Sequence, residues 1–310
     1  MTHHLRFQRA LATLQGLAIG DAFGQLFTWY DPTELPRQLK AREIPDEPWE
    51  YSDDTMMALS IVEILGKYGY IEQNALAASF AEHYEEGRGY GPAMHSLLTE
   101  INAGAAWRSA APALFDGQGS YGNGAAMRVA PLGCYFADDL TQVCEQAALS
   151  AVVTHCHPEA VAGAIAVAIA AALAVAAADA GQPITRAEFL SQILAYLPDS
   201  EVRSGVILAQ QLPTGISVRD AVAQLGNGGH ITAQDTVPLA LWCAAGSLQQ
   251  FDTALWNTLS ALGDIDTNCA IVGGIVAAGT GIAGIPRAWL DECEPIPKWV
   301  WPPGETPHRA

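Results

Sequence analysis

An all-α fold is predicted by three features of this chain of 310 residues. Half of its residues are hydrophobic, and Ala-rich apolar runs recur at helical lengths. Few segments show the alternating β-branched pattern of strands. No Pro/Gly/Ser-rich linker, charge block or repeat divides the chain. One domain over 1–310 is therefore expected, with a short irregular tail from about residue 291. Its expected architecture is a compact orthogonal bundle of many helices.

In chain order, the apolar periodicity predicts helices over 5–24, 54–68, 72–85, 93–103, 125–136, 140–152, 158–179, 186–196, 200–211, 217–224, 235–245, 251–261 and 266–280. The first carries Gly16, Gly20 and Gly24 at GxxxGxxxG spacing, which reads as close helix packing. Basic residues precede its apolar stretch, but Asp21 interrupts it and no processing site follows, so a signal peptide is not expected. Residues 160–178 carry no charge and mimic a membrane span. Their Ala content makes them weakly hydrophobic, and the flanks are His157, Glu159 and Asp179 in place of Lys or Arg, so a buried central helix is expected and no membrane contact.

The formal charge of -18 argues against nucleic acid as a partner, because phosphate binding needs Lys and Arg to displace counterions. An anionic small ligand would need local donors, from glycine-rich backbone or a bound metal. The six cysteines are far apart, with no paired spacing for zinc or redox work, which suits a reducing cytoplasm.

Two acidic clusters carry the chemistry. Ser52-Asp53-Asp54-Thr55 and Asp264-Ile265-Asp266-Thr267 each open an apolar segment with no Lys or Arg beside it. Ser52 and Asp264 are good helix N-caps, and Asp in a first turn is stabilised by the helix dipole. Both following helices are apolar on nearly all faces, however, and a buried carboxylate without a basic partner costs too much to serve only as a cap. If the clusters meet, their carboxylates cannot all stay ionised unless a cation sits among them, and an all-oxygen set suits Mg²⁺ or Mn²⁺.

Three loops separate these helices: 25–52, with Trp29, Tyr30, Asp31 and Glu34; 86–92, EGRGYGP; and 116–125, DGQGSYGNGA. Dense glycine exposes backbone N–H groups, the usual way to approach a diphosphate, and it also makes ordinary turns.

Taken together, GLAIGDAFG at 16–24, SDDTMMAL at 52–59, RGYG at 88–91, SYGNGAAMR at 120–128, THCHPEAVAG at 154–163, VPLALW at 237–242 and GDIDTNCAIVGGIVAAGTGIAGIPRAW at 263–289 resemble the ADP-ribosylglycohydrolase family. That group includes the dinitrogenase-reductase-activating glycohydrolase and the ADP-ribosylarginine and ADP-ribosylserine hydrolases. The resemblance implies an all-helical fold with two Mg²⁺ or Mn²⁺ ions at the centre of the bundle. It implies Ser52, in place of the usual Thr, with Asp53, Asp54, Asp264, Asp266 and Thr267 as the metal ligands. It also puts Ser120, Tyr121, Gly122 and Asn123 at the diphosphate and distal ribose of ADP-ribose, with Gly91 nearby. Phe115 matches an aromatic that stacks on adenine in some relatives, or else merely anchors its loop. His155 resembles a substrate-contacting histidine, and alone would read as a core histidine. Cys156 and His157 read as structural.

One departure stands out. Many relatives carry a lid glutamate about four residues after GDAxG, where this chain has Thr28, and Asp31 and Glu34 are the next acidic residues in that loop. The implied activity is hydrolysis of an ADP-ribosyl group, most directly from protein arginine, with Asp54 or Asp266 activating water and Asp31 or Glu34 handling the leaving group. Hydrolysis of a free ADP-ribosyl or nucleoside-like metabolite and a silent ADP-ribose-binding module are the alternatives.

Overall fold

The computed structural model describes residues 1–28, 33–181 and 183–302, and among them all regular structure is helical. In order these are α1 (His3–Thr28), α2 (Leu35–Ala41), α3 (Asp53–Tyr68), α4 (Gln73–Glu82), α5 (Pro92–Asn102), α6 (Trp107–Gly117), α7 (Gly124–Met127), α8 (Ala130–Tyr135) and α9 (Leu140–Ala151). They continue as α10 (Pro158–Ala180), α11 (Arg186–Leu194), α12 (Glu201–Gln211), α13 (Val218–Leu225), α14 (Ala233–Gly246), α15 (Phe251–Leu259), α16 (Ile265–Thr280) and α17 (Arg287–Glu292). Among the described residues there is no strand, only isolated bridges pairing Trp49 with Cys293 and Gly122 with Thr232.

The expected helices form, with four differences. α1 runs past residue 24 to Thr28 because Phe23 and Phe27 are buried, Phe23 stacked on Trp289 at 5.0 Å and edge-on to Trp256 at 5.1 Å. The expected loop 25–52 contains α2, whose first turn takes Pro36 and whose end is closed by Arg42 at a left-handed φ of 51°. The expected helix 125–136 is split into α7 and α8, because Pro131 in the first turn of α8 has no N–H with which to continue a helix from α7. α6 and α17 occupy stretches with no expected helix. α6 buries only Ala111 and α17 only Trp289, so neither has the broad apolar stripe that marks a helix in sequence.

α1 and α16 form the axis of the bundle. A Cβ at Gly20 would overlap the Cys269 carbonyl oxygen, one at Gly16 the Ala277 side chain, and one at Gly273 the Gly16 carbonyl oxygen. The glycine stripe therefore lets two backbones touch. Around them α10, the one described helix long and apolar enough to span a bilayer, is mostly buried against α8, α9, α14 and α16. Replacing Gly20 by Ala should lower the melting temperature by several degrees, since overpacking against backbone costs on the order of 1–3 kcal/mol. Thermal denaturation followed by circular dichroism checks this, and an unchanged melt would show that the contact is not tight.

Candidate active site

The starts of α3 and α16 meet. Thr267 Oγ1 donates to Asp54 Oδ1 at 3.3 Å, so the two acidic clusters, remote in sequence, face one another. Ser52 does cap α3, its Oγ accepting from the Asp54 N–H at 3.2 Å. Asp264 does not cap α16. Its Oδ2 accepts instead from Asn123 Nδ2 at 2.6 Å, tying the carboxylate to the glycine-rich loop before α7. Capping thus explains one cluster leader and not the other.

Asp21 adds a fifth carboxylate that motif reading passed over. It is fully buried on α1, and its Oδ2 accepts from Ser52 N at 3.0 Å, Thr55 N at 3.0 Å and Thr55 Oγ1 at 2.6 Å. One turn later on the same helix, Gln25 Nε2 donates to Asp266 Oδ2 at 2.6 Å, and Asp266 Oδ1 accepts from Thr267 N at 2.9 Å. α1 therefore holds α3 through Asp21 and α16 through Gln25. Gly24, where a Cβ would meet the Asp266 backbone, makes that approach possible.

Charge at the site is one-sided. Among the described residues, none of the five carboxylates is in an ion pair. Burial, then the neighbouring carboxylates, push Asp53 and Asp54 well above the usual carboxylate range. The same causes raise Asp21 to about 7, with Asp266 as the neighbour, and Asp264 to about 7. Asp54 Oδ2 and Asp21 Oδ1 are buried with no hydrogen-bond partner among the described residues. Such a set has no ion pair and leaves two buried oxygens without a donor among the described residues, which is the need a hard divalent cation meets. No three His, Cys, Asp or Glu side chains among the described residues are gathered as ligands of one ion.

Four of the five carboxylates line a cavity of about 460 Å³. Asp53, Asp54, Asp264 and Asp266 line it with Thr267, and Ser52 is buried and not among the lining residues. Every residue expected at the substrate is there too: Gly91, Phe115, Ser120, Tyr121, Gly122, Asn123 and His155. Ser120 Oγ accepts from Gly122 N at 3.2 Å, which curls the loop. The 86–92 loop is pinned by Arg88, which makes a two-pronged pair with Glu294 at 2.7 and 2.8 Å. Phe115 is 52% exposed beside Tyr121, with ring centroids 6.1 Å apart, so it is no loop anchor. It is held at a left-handed φ of 52° in the turn that ends α6. His155 is buried, and desolvation followed by the Arg128 charge lowers its pKa to about 3.

The lid position is occupied differently. Thr28 ends α1 and donates to the Gly24 carbonyl at 3.4 Å. Asp31 lies outside the described residues. Glu34 is exposed at the start of α2, 3.6 Å from Arg37, and is not among the residues lining the cavity.

Sequence reading also missed Met57 and the segment His230-Ile231-Thr232 on the cavity wall. That segment is brought in by the Ala233 N–H donating to the Tyr121 carbonyl at 3.0 Å. Its only signal was the run Gly228-Gly229 before it.

The sequence profile described as ADP-ribosylglycohydrolase matches residues 2–303. Human ADP-ribosylhydrolase ARH3 is 29% identical over 338 residues, covering 93% of this chain and 89% of its own. The ADP-ribosylarginine hydrolase Tri1 of Serratia proteamaculans (strain 568) is 24% identical over 308 residues, covering 92% and 75%. A solved structure named "ADP-ribosylglycohydrolase-related protein complex" is similar in fold, with a TM-score of 0.66 at 23% identity and 95% of each chain covered.

Proposed function

Because the chain belongs to the ADP-ribosylglycohydrolase family, we propose that it is a divalent-metal-dependent hydrolase cleaving the glycosidic bond of ADP-ribosyl groups. Protein arginine is the attached group in this reading, the linkage in the name of the Serratia relative. The observation that carries it is the meeting of Asp54 with Thr267 in the lining of a cavity that the Ser120–Asn123 loop and Phe115 also line.

Two Mg²⁺ or Mn²⁺ ions fit the oxygen-only set of Ser52, Asp53, Asp54, Asp264, Asp266 and Thr267. When bound, such ions supply Lewis acidity toward the ribose hydroxyls and acidify water. Asp54 or Asp266 takes up the proton of the attacking water. Ser120, Tyr121, Gly122 and Asn123, with Gly91, hold the diphosphate and distal ribose, and Phe115 stacks on adenine. Bond cleavage places positive charge on the ribose, which the surrounding carboxylates favour. All six cysteines are unpaired, which supports a reducing compartment such as the cytoplasm.

Of the two candidate carboxylates nearest the lid position, Glu34 is turned to solvent and to Arg37, so we assign leaving-group handling to Asp31. Asp31→Ala should lower kcat by on the order of 10²–10³ while ADP-ribose still binds, because a group acting on the leaving atom contributes mainly in the transition state. Glu34→Ala should leave kcat within about twofold. Steady-state kinetics with product inhibition by ADP-ribose separates the two. Thr28 at the lid position favours, as a second reading, a free ADP-ribosyl or nucleoside-like metabolite with a better leaving group. The deciding assay measures ADP-ribose release from ADP-ribosylarginine, ADP-ribosylserine and small glycosides, with and without Mg²⁺ or Mn²⁺. No release from any of them would sink the proposal.

A further inference from the structure

Arg128 has no place in the chemistry above, yet it is fully buried beside the site. Its Nη2 donates to the Ser150 carbonyl at 3.0 Å and to Thr154 Oγ1 at 3.0 Å, its Nη1 points to Met57 Sδ at 3.5 Å, and its guanidinium lies over Phe80. Thr154 Oγ1 in turn lies 2.7 Å from His155 Nδ1. Thr154 is fully buried as well. On its far side His155 Nε2 has no hydrogen-bond partner among the described residues and faces the cavity between Gly122 and Gly124. A Cβ at Gly124 would lie 2.7 Å from the ring Cε1 and 2.8 Å from Nε2, so that glycine makes room for this edge of the imidazole.

Proton counting settles the tautomer. A guanidinium has donors only, so Arg128 must use a lone pair of Thr154 Oγ1. If His155 Nδ1 carried a hydrogen, Thr154 Oγ1 would accept twice. Its own hydrogen, buried, would then have no acceptor among the described residues, at a cost comparable to a lost hydrogen bond. If Nδ1 is bare, Thr154 donates to it, and the Thr154 hydroxyl both accepts and donates; Arg128 Nε is buried without a partner among the described residues in either case. The ring is neutral in either case, since burial and the nearby guanidinium disfavour the imidazolium.

We propose that Arg128 and Thr154 are positioning residues that lock His155 as the Nε2–H tautomer, so that it meets the ligand as a neutral hydrogen-bond donor and cannot act as a base. The ligand must then bring an acceptor atom to the floor formed by Gly122 and Gly124. In ADP-ribose that is a diphosphate or ribose oxygen, a step that rests on the reading of function above; the relay itself does not. Because the donor is set by a buried chain, its cost of orientation is met before the ligand arrives.

The test is nitrogen NMR of the full-length protein labelled with ¹⁵N-histidine, in which protonated and bare ring nitrogens are resolved, with His155 assigned by its loss in His155→Asn. The wild type should show His155 with Nε2 protonated and Nδ1 bare. Thr154→Val keeps the shape and removes the hydroxyl; it should mix the tautomers and weaken ADP-ribose binding about tenfold, the worth of one hydrogen bond to a charged or buried group. Thr154→Ser should restore both. Arg128→Met should free Thr154 Oγ1 to accept and raise the Nδ1–H population; if that variant does not fold, the two Thr154 variants decide alone. A wild type with Nδ1 protonated, or a Thr154→Val spectrum unchanged for His155, overturns the proposal. A wild type with the expected tautomer that fails to bind ADP-ribose supports the relay and overturns the ligand assignment instead.

Discussion

Asp54→Asn and Asp266→Asn should each lower hydrolysis at least about a thousandfold, with the helical circular dichroism spectrum unchanged. Asp54 is buried, its Oδ2 has no partner among the described residues, and its Oδ1 takes the hydroxyl of Thr267 from the opposite cluster. Stability should move the other way. A carboxylate whose pKa is raised in the fold by burial and by Asp21 and Asp266 opposes folding when ionised. The metal-free Asp54→Asn protein should therefore melt higher than the metal-free wild type. A residue kept for capping would do the reverse, since its loss would leave α3 less stable at unchanged turnover. Activity surviving in both variants with metal still bound would remove these two carboxylates from the chemistry.

The second large effect couples pH to divalent cation. Asp21 and Asp264 are each raised from 3.8 to about 7, through burial and the proximity of Asp266. The folded state thus holds more protons than the unfolded state between about pH 4 and 7. The associated stability is fully present below pH 4 and is lost as pH rises through 7. Without metal, the melting temperature should fall between pH 5.5 and 8 from these groups. Mg²⁺ or Mn²⁺ binds the folded state alone and competes with those protons, so it should stabilise most at pH 8. At a hundred times Kd the gain is about 2.7 kcal/mol, a shift of on the order of 5 °C. EDTA should reverse it. Melting curves at both pH values that ignore millimolar Mg²⁺ and Mn²⁺ would contradict the two-metal reading.

Much of the protein was legible in its residues. Ala-rich runs of helical length predicted the α fold, and Gly16, Gly20 and Gly24 predicted the close crossing that α1 makes with α16. The motif pair SDDT and GDIDT predicted the carboxylates, and RGYG and SYGNG the loops, that line one cavity. These features were readable because propensity, periodicity and the unpaired charge of Asp-Asp are properties of neighbouring residues along the chain.

What the residues could not show is what depends on approach through space. Asp21 read as an interruption of an apolar helix. Only the crossing of α1 over α3 and α16 makes it the acceptor for the Ser52 and Thr55 N–H groups, and sets Gln25 on Asp266. His230, Ile231 and Thr232 joined the wall because a backbone hydrogen bond to Tyr121 draws their loop inward, and backbone pairing between loops leaves no mark in side-chain pattern. Glu34 and Asp31 were equivalent in sequence, until the turn into α2 sent Glu34 to Arg37 and solvent. The sequence by itself determined which groups carry charge and which stretches become helical. The tertiary structure decided which charges share a volume without counter-charge, because Coulomb and desolvation energies depend on distance and burial and not on separation along the chain.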